Sequence, residues 1–318
     1  MNKKHALMII IGVLLLVALL HLDVSALWYS LRQIPLWLVL TMLVLQITVQ
    51  FLVNLQWFGI TRLVGTKIAF SDMFYINSQG ALMDSITPGV KFGGEITRGV
   101  FISRFANCSA ERSAAIVVLQ KMFSVGALFF ILLFATIDFI GVFAYGAVAL
   151  ALVIFVTASV MPNKIKKLLD GKITPSRKWF VKMKSFFLDL LTQVEIIRKN
   201  KKACIFLALL SLFIWAFYPV RMYMLAVQFY PQIGLLQIAA ITFTAYMVAM
   251  LPIFPGGLGG FEVTMSGFLV ATGFGISNAA IITIFFRFVT FWFVMLFGIA
   301  FIGIYKFSKR GGCNGQAN

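Results

Sequence analysis

Charge is scarce in this 318-residue sequence, and negative charge scarcest: 12% of residues are charged, with ten Asp and Glu against 27 Lys and Arg. Soluble domains carry about 25% charged residues, so a water-solvated globule is excluded. Cysteine is nearly absent as well. Cys108, Cys204 and Cys313 form no CxxC pair, and His5 and His21 lie near none of them. Such a set supports neither a disulfide framework nor a metal site. Also missing are a Walker lysine motif, a metal-binding His pair, a GxSxG elbow and a His-x4-Asp acyltransferase signature, and no soluble domain is present to house ATP. No cofactor and no enzymatic activity are expected, and any energy coupling would come from ions, protons or the lipid gradient.

What is present is apolar. Hydrophobic residues make up 61% of the chain, 34 of them Phe, and the mean hydropathy is +0.98. A disordered chain is excluded, because disorder follows from too little apolar surface. The net charge of +17 would suggest nucleic acid only if the bases clustered on a folded soluble face.

A helix needs about 20 mostly apolar residues to cross a bilayer core. Six stretches meet or approach that length: 6–22, 35–55, 113–136, 139–160, 203–227 and 278–305. The first, with Lys3 and Lys4 before it and Val24-Ser25-Ala26 after it, also has the form of a cleavable leader. Multi-span proteins commonly open on such an anchor, and its retention is expected. With the N-terminus inside, 23 of the 27 basic residues fall on the cytoplasmic side, one (Arg32) outside, and Lys121, Arg221 and Arg287 within spans. The charge is then a record of sidedness. The reading is an integral protein of the cell (cytoplasmic) membrane with both termini cytoplasmic, and no nucleic-acid partner.

Two regions are neither span nor loop. Residues 72–104 are too apolar for a solvated loop yet contain Asp84, Pro88, Glu95, Arg98 and five Gly, and they start and finish on the cytoplasmic side. Residues 235–275 repeat the shape around Pro255-Gly256-Gly257-Leu258-Gly259-Gly260 and would enter from outside. Irregular backbone survives at membrane depth only where protein or a watery cavity satisfies it, so both read as re-entrant, broken-helix hairpins. The expected fold is an all-α polytopic membrane protein of six full spans plus two hairpins, or eight spans if the second hairpin crosses fully. The whole chain, 1–318, is one membrane domain.

The two breaks align. Pro88-Gly-Val-Lys-Phe-Gly-Gly-Glu95 and Pro255-Gly-Gly-Leu-Gly-Gly-Phe-Glu262 share Pro-Gly-x-x-x-Gly-x-Glu, and Lys121 follows Glu95 by 26 residues as Arg287 follows Glu262 by 25. On this alignment residues 6–136 and 139–305 are inverted-topology repeats, the plan that puts a transporter's substrate at broken helices near the midplane. The loops between first and second spans differ in the two halves, about 12 residues against about 42.

Proline ends the helix before each break, and Gly89, Gly93, Gly94, Gly256, Gly257, Gly259 and Gly260 allow positive φ and close approach. The next helix starts at depth with unpartnered N–H groups. Glu95 and Glu262 either cap those helices or line a polar cavity that receives a phosphate or the cationic part of a head group. Each buried ion costs roughly 2.5–3.5 kcal/mol on insertion scales. Asp84, Glu95, Arg98, Lys121, Arg221, Glu262 and Arg287 are therefore the candidate binding residues, four basic and three acidic. Near-balance predicts internal pairs, and the excess cation leaves room for one anionic group, which arginine fits bidentately. For Arg221 a satisfied buried pair or snorkelling is an equal reading.

Residues 163–202 form a basic cytoplasmic segment. Within it Phe180, Met183, Phe187, Leu190, Leu191, Val194 and Ile197 recur at helical spacing with Lys178, Lys182 and Lys184 among the polar positions. An amphipathic helix on the inner leaflet is expected, acting as an anchor.

The Pro-Gly-Gly-Leu-Gly-x-x-Glu break at 255–262, the Pro-Gly-x-x-x-Gly-Gly-Glu-x-x-Arg stretch at 88–98 and a basic residue in the last span resemble the flippase-like transmembrane domain of lysylphosphatidylglycerol synthases and its stand-alone relatives. The resemblance covers about residues 5–307. It implies a domain that moves aminoacylated phosphatidylglycerol, or other lipids, between leaflets, with Pro88, Gly94, Glu95, Arg98, Pro255, Gly256, Gly257, Gly259 and Glu262 as motif positions. The family more often has an arginine two residues after the first proline, where this chain has Val90 and then Lys91. The synthases' cytoplasmic aminoacyltransferase domain has no counterpart, so lysine transfer is not implied.

The leading expectation is a lipid translocase for a phospholipid or lipid-linked head group. Its partners would be membrane lipids, anionic or aminoacylated, and either a second copy of the chain or a lipid-synthesis enzyme. The alternatives are an ion- or proton-coupled small-solute transporter and a membrane enzyme or accessory subunit acting on lipid-linked intermediates.

Overall fold

The computed structural model describes residues 29, 32–87, 92–135, 178–249 and 257–314. The expected spans 6–22 and 139–160 lie outside these residues, as do Pro88, Gly89, Pro255 and Gly256.

The other four spans are helices. Pro35 in extended conformation starts α1, Leu36–Leu63. Helix α4 covers Ala110–Ala135, and α6 covers Lys201–Ala226, its first turn closed by the Asn200 side chain accepting from Ala203 N–H at 3.2 Å. The last is one continuous rod of α9 (Ile276–Arg287), a π-helical turn (Phe288–Trp292) and α10 (Phe293–Asn314). These four are long and apolar enough to cross a membrane. Their surfaces are inverted relative to a soluble protein: Trp37, Leu40, Val44 and Phe51 of α1 face outward, whereas Gln46, Asn54 and Gln56 of the same helix are buried. Outward apolar and inward polar side chains are what a hydrocarbon solvent selects. The chain is a polytopic all-α membrane protein.

Helices α2, Phe70–Ile86, and α3, Phe92–Ala106, form the first hairpin. At 17 and 15 residues they reach only about 25 and 22 Å, short of the roughly 30 Å core. Two glycines allow the arms to close. A Cβ on Gly94 would lie 2.3 Å from the Asp84 carboxyl group and the Gly80 carbonyl, and one on Gly80 would lie 2.6 Å from Arg98. The feet of this hairpin lie at the basic end, where Arg112 donates to Val64 O at 2.8 Å and Lys309 reaches Asp72 at 3.1 Å.

Helices α7, Leu235–Ala249, and α8, Gly260–Ala271, form the second. Its feet lie at the other end of α1, where Tyr230 meets Phe274 at 5.3 Å and Ile34, Ile233 and Phe274 share one core cluster. At its tip Gly257 and Gly259 take φ of 72° and 86°. A Cβ on Gly257 would sit 2.8 Å from that of Ala249, so glycine is required there for both reasons.

Helix α5, Lys178–Lys199, departs from the expected surface anchor. Leu191, Val194 and Ile197 are buried, with Val194 and Ile197 in a cluster that also holds Ile116 and Leu119 of α4. Gln193 donates to Arg112 O at 3.2 Å. The apolar stripe covers protein over these turns, because α4 offers it an apolar face, and leaves Met183 and Phe187 exposed.

Candidate functional site

Along α1 the interior changes character twice. Leu38 and Met42 belong to an apolar cluster with Met222, Phe261 and Phe286, and Trp57, Ile60 and Val64 to another with Ile102 and Ile116. Between them Gln46, Gln50 and Gln56 face a polar cavity of about 220 Å³. Asp84, Glu95, Arg98 and Lys121 line it from the first half of the chain, and Gly257, Arg287 and Thr290 from the second. The tips of the two hairpins thus face one space.

The first-half charges form a closed network. Arg98 Nη1 lies 2.9 Å from Glu95 Oε1 and 3.2 Å from Asp84 Oδ2, and its Nη2 donates to the same Asp84 oxygen at 3.2 Å. Lys121 Nζ is 2.6 Å from Glu95 Oε1. The other oxygen of Asp84 accepts from Gly94 N–H at 3.1 Å. Asp84 therefore serves the exposed N-terminus of α3 from across the hairpin, while Glu95 faces the cavity.

The second half divides these roles differently. Glu262 accepts from Gly259 N–H at 2.6 Å and so caps α8 itself. Its other oxygen lies 3.1 Å from Arg287 Nε, and the N–H of that nitrogen is not aligned for a hydrogen bond, leaving a Coulombic contact. The Arg287 guanidinium sits between the rings of Phe261 and Phe291, at 4.8 and 4.5 Å, where cation–π attraction adds to its hold. The π turn begins directly after Arg287. Such turns recur at functional sites because the extra residue re-aims side chains, and here Arg287, Thr290, Phe291 and Val294 all face the cavity.

Of the two readings open for the break glutamates, Glu262 takes the capping one and Glu95 the cavity-lining one. Gly93, Gly94, Gly257, Gly259 and Gly260 lie at the hairpin tips. Arg221 does not line the cavity; it is buried behind Gln46 and Tyr218, which do. The neutral members of the site are additions to the expected set. Gln56 donates to Ser211 Oγ and accepts from Gln120 at 3.0 Å, and Trp215 donates to Ser124 at 3.0 Å. Their signal in the sequence is four amides in one apolar helix, Gln46, Gln50, Asn54 and Gln56, with Gln46 and Gln50 one helical turn apart. Among the described residues no three His, Cys, Asp or Glu side chains gather as a metal site would require.

The arrangement is a small polar chamber, fixed by ion pairs, inside two apolar layers. Two membrane proteins match most of this chain. A UPF0104 membrane protein of Methanothermobacter thermautotrophicus is 25% identical over 95% of this chain and 96% of its own. A second, from Pyrococcus horikoshii, is 21% identical over 69% of this chain and 72% of its own. The family described as the lysylphosphatidylglycerol synthase TM region matches residues 6–298, and by that match the chain belongs to it.

Proposed function

We propose that the protein is a lipid translocator, in which a phospholipid or lipid-linked head group enters the cavity while its acyl chains stay in the bilayer. The observation that carries this reading is the meeting of two hairpins, with feet at opposite ends, at one ion-lined cavity. A chamber of about 220 Å³ is below the roughly 300–1,000 Å³ of drug-sized ligand sites, a size suited to a head group and not to acyl chains. Membership of a family named for a lipid-modifying enzyme's membrane region supports a lipid as the ligand. The basic end, with Lys67, Arg112 and the α5 helix, is taken as cytoplasmic. The two halves act as inverted repeats rocking about the cavity, the usual course of alternating access.

The test is reconstitution of purified protein into vesicles with fluorescent phospholipids on one leaflet. Faster exchange than in protein-free vesicles, slowed in Glu262→Gln, is expected. Rates indistinguishable from empty vesicles for every host lipid tried, with Glu262→Gln matching wild type, would exclude translocation. Solute uptake that collapses a proton gradient without lipid exchange would favour the solute transporter instead.

A further inference from the structure

Arg221 is the one charge at depth whose balance the described residues do not supply. It is 0% exposed. Its Nε donates to Phe217 O at 3.1 Å, its Nη1 donates to Gln46 Oε1, and the guanidinium lies 5.0 Å from the Tyr218 ring centre. Among the described residues the buried Nη2 has no acceptor and no carboxylate is within ion-pair distance of the guanidinium. The other six charges cancel within their own groups: Asp84 and Glu95 against Arg98 and Lys121, and Glu262 against Arg287. Arginine does not escape burial by losing its proton. Gln46 and Tyr218 separate it from the cavity, so a fixed positive charge stands one side chain behind a chamber whose other described charges cancel. Such a geometry concentrates anions.

We infer that the cavity selects a ligand with one net negative charge, a phosphodiester whose remaining head group is neutral, and that Arg221 supplies the counter-charge through Gln46. A phosphodiester bearing choline or ethanolamine has no net charge to offer. A lysylated glycerol head group is net positive and would add to the imbalance. The charge selection follows from Arg221 alone; only the choice of a lipid as the ligand's source rests on the translocator reading.

The full chain in detergent is titrated with glycerophosphoglycerol and with glycerophosphocholine, followed by tryptophan fluorescence, since Trp57 and Trp215 line the cavity. In parallel, vesicles report exchange of fluorescent phosphatidylglycerol and phosphatidylcholine. The anionic ligand is expected to bind at least about tenfold more tightly, the ratio one Coulomb interaction of this kind supports. Arg221→Gln should remove that preference and Arg221→Lys should retain most of it. If Arg221→Gln does not elute as a single folded species, Gln46→Glu neutralises the charge in place and should remove the preference equally. Equal binding of both ligands, a zwitterionic preference, an unchanged ratio in Arg221→Gln and Gln46→Glu, or no binding of either ligand by wild type would each overturn the inference. Selective binding without lipid exchange keeps the inference, removes the translocator, and assigns the ligand to a free phosphodiester. Lipid exchange without charge preference does the reverse.

Discussion

Lys121 Nζ lies 2.6 Å from Glu95 Oε1, across the gap between the first hairpin and the span that follows it. The matching acid and base of the second half, Glu262 and Arg287, lie 3.1 Å apart. In each half, then, the glutamate of the glycine-rich break meets a base 25 or 26 residues later. These pairs fasten each hairpin to its neighbouring span, and buried pairs punish the loss of one member more than of both.

Glu95→Gln should therefore destabilise the protein by about 3–5 kcal/mol, the usual result of stranding buried charge, because Arg98 and Lys121 would both lose the carboxylate they hold in common. Lys121→Met should cost less, since its side chain is 37% exposed and water screens what it loses. Unfolding midpoints in one detergent would decide; equal losses would contradict the network.

Glu262→Gln should lower stability by leaving Arg287 between two rings without its counter-ion. Adding Arg287→Met should recover part of the loss, because a buried pair exchanged for apolar side chains is often neutral. A double variant less stable than Glu262→Gln alone would mean that the pair is not the cause.

Gly94→Ala is expected to cost about 1–3 kcal/mol, the range for overpacking, since its Cβ would meet backbone as well as the Asp84 carboxyl group at 2.3 Å. Gly267, in α8 with nothing within 4 Å of its Cβ position, is the control. There alanine should be neutral or stabilising by up to about 1 kcal/mol. Thermal melts of both variants test the closeness of the first hairpin.

Cys108, in the turn between α3 and α4, provides a probe of sidedness and pH. Burial pushes its thiol upward from the ordinary value, and nearby Arg112 offsets this only in part. The thiolate is the reactive form, so maleimide labelling should lag behind a free thiol near neutrality and rise at higher pH. An impermeant reagent should reach it only from the face that holds Lys67. A cysteine placed at Thr272, at the feet of the other hairpin, should be reached only from the opposite face; labelling of both from one side would end the inverted arrangement.

Spans and hairpins were legible because each depends on a local quantity. Run length marks α1, α4 and α6, and Pro-Gly clusters mark both breaks. The acid–base spacing was legible too, since it recurs in both halves. What escaped reading depends on which helices touch. Asp84, ten residues before Gly94, closes the N-terminus of α3 only because the hairpin folds back on itself. The α5 stripe can cover lipid or protein with equal ease, and contact with α4 decides. Gln120 and Ser211 look like isolated polar residues until α4 and α6 bring them to Gln56 of α1, and nothing in Phe288–Trp292 announces a π turn.

That turn fixes a rotational phase. The rod from Ile276 to Asn314 runs from Arg287 at the cavity to Tyr305 and Lys309, which hold Asp72 at the basic end at 2.5 and 3.1 Å. One residue of helix is about 100° of rotation. If the π turn relaxed to α geometry by losing a residue, Tyr305 and Lys309 would swing off Asp72 while Arg287 kept its place, or the reverse. The angular setting of the cavity and the clasp on the first hairpin's foot are thus one quantity, carried by a single shaft.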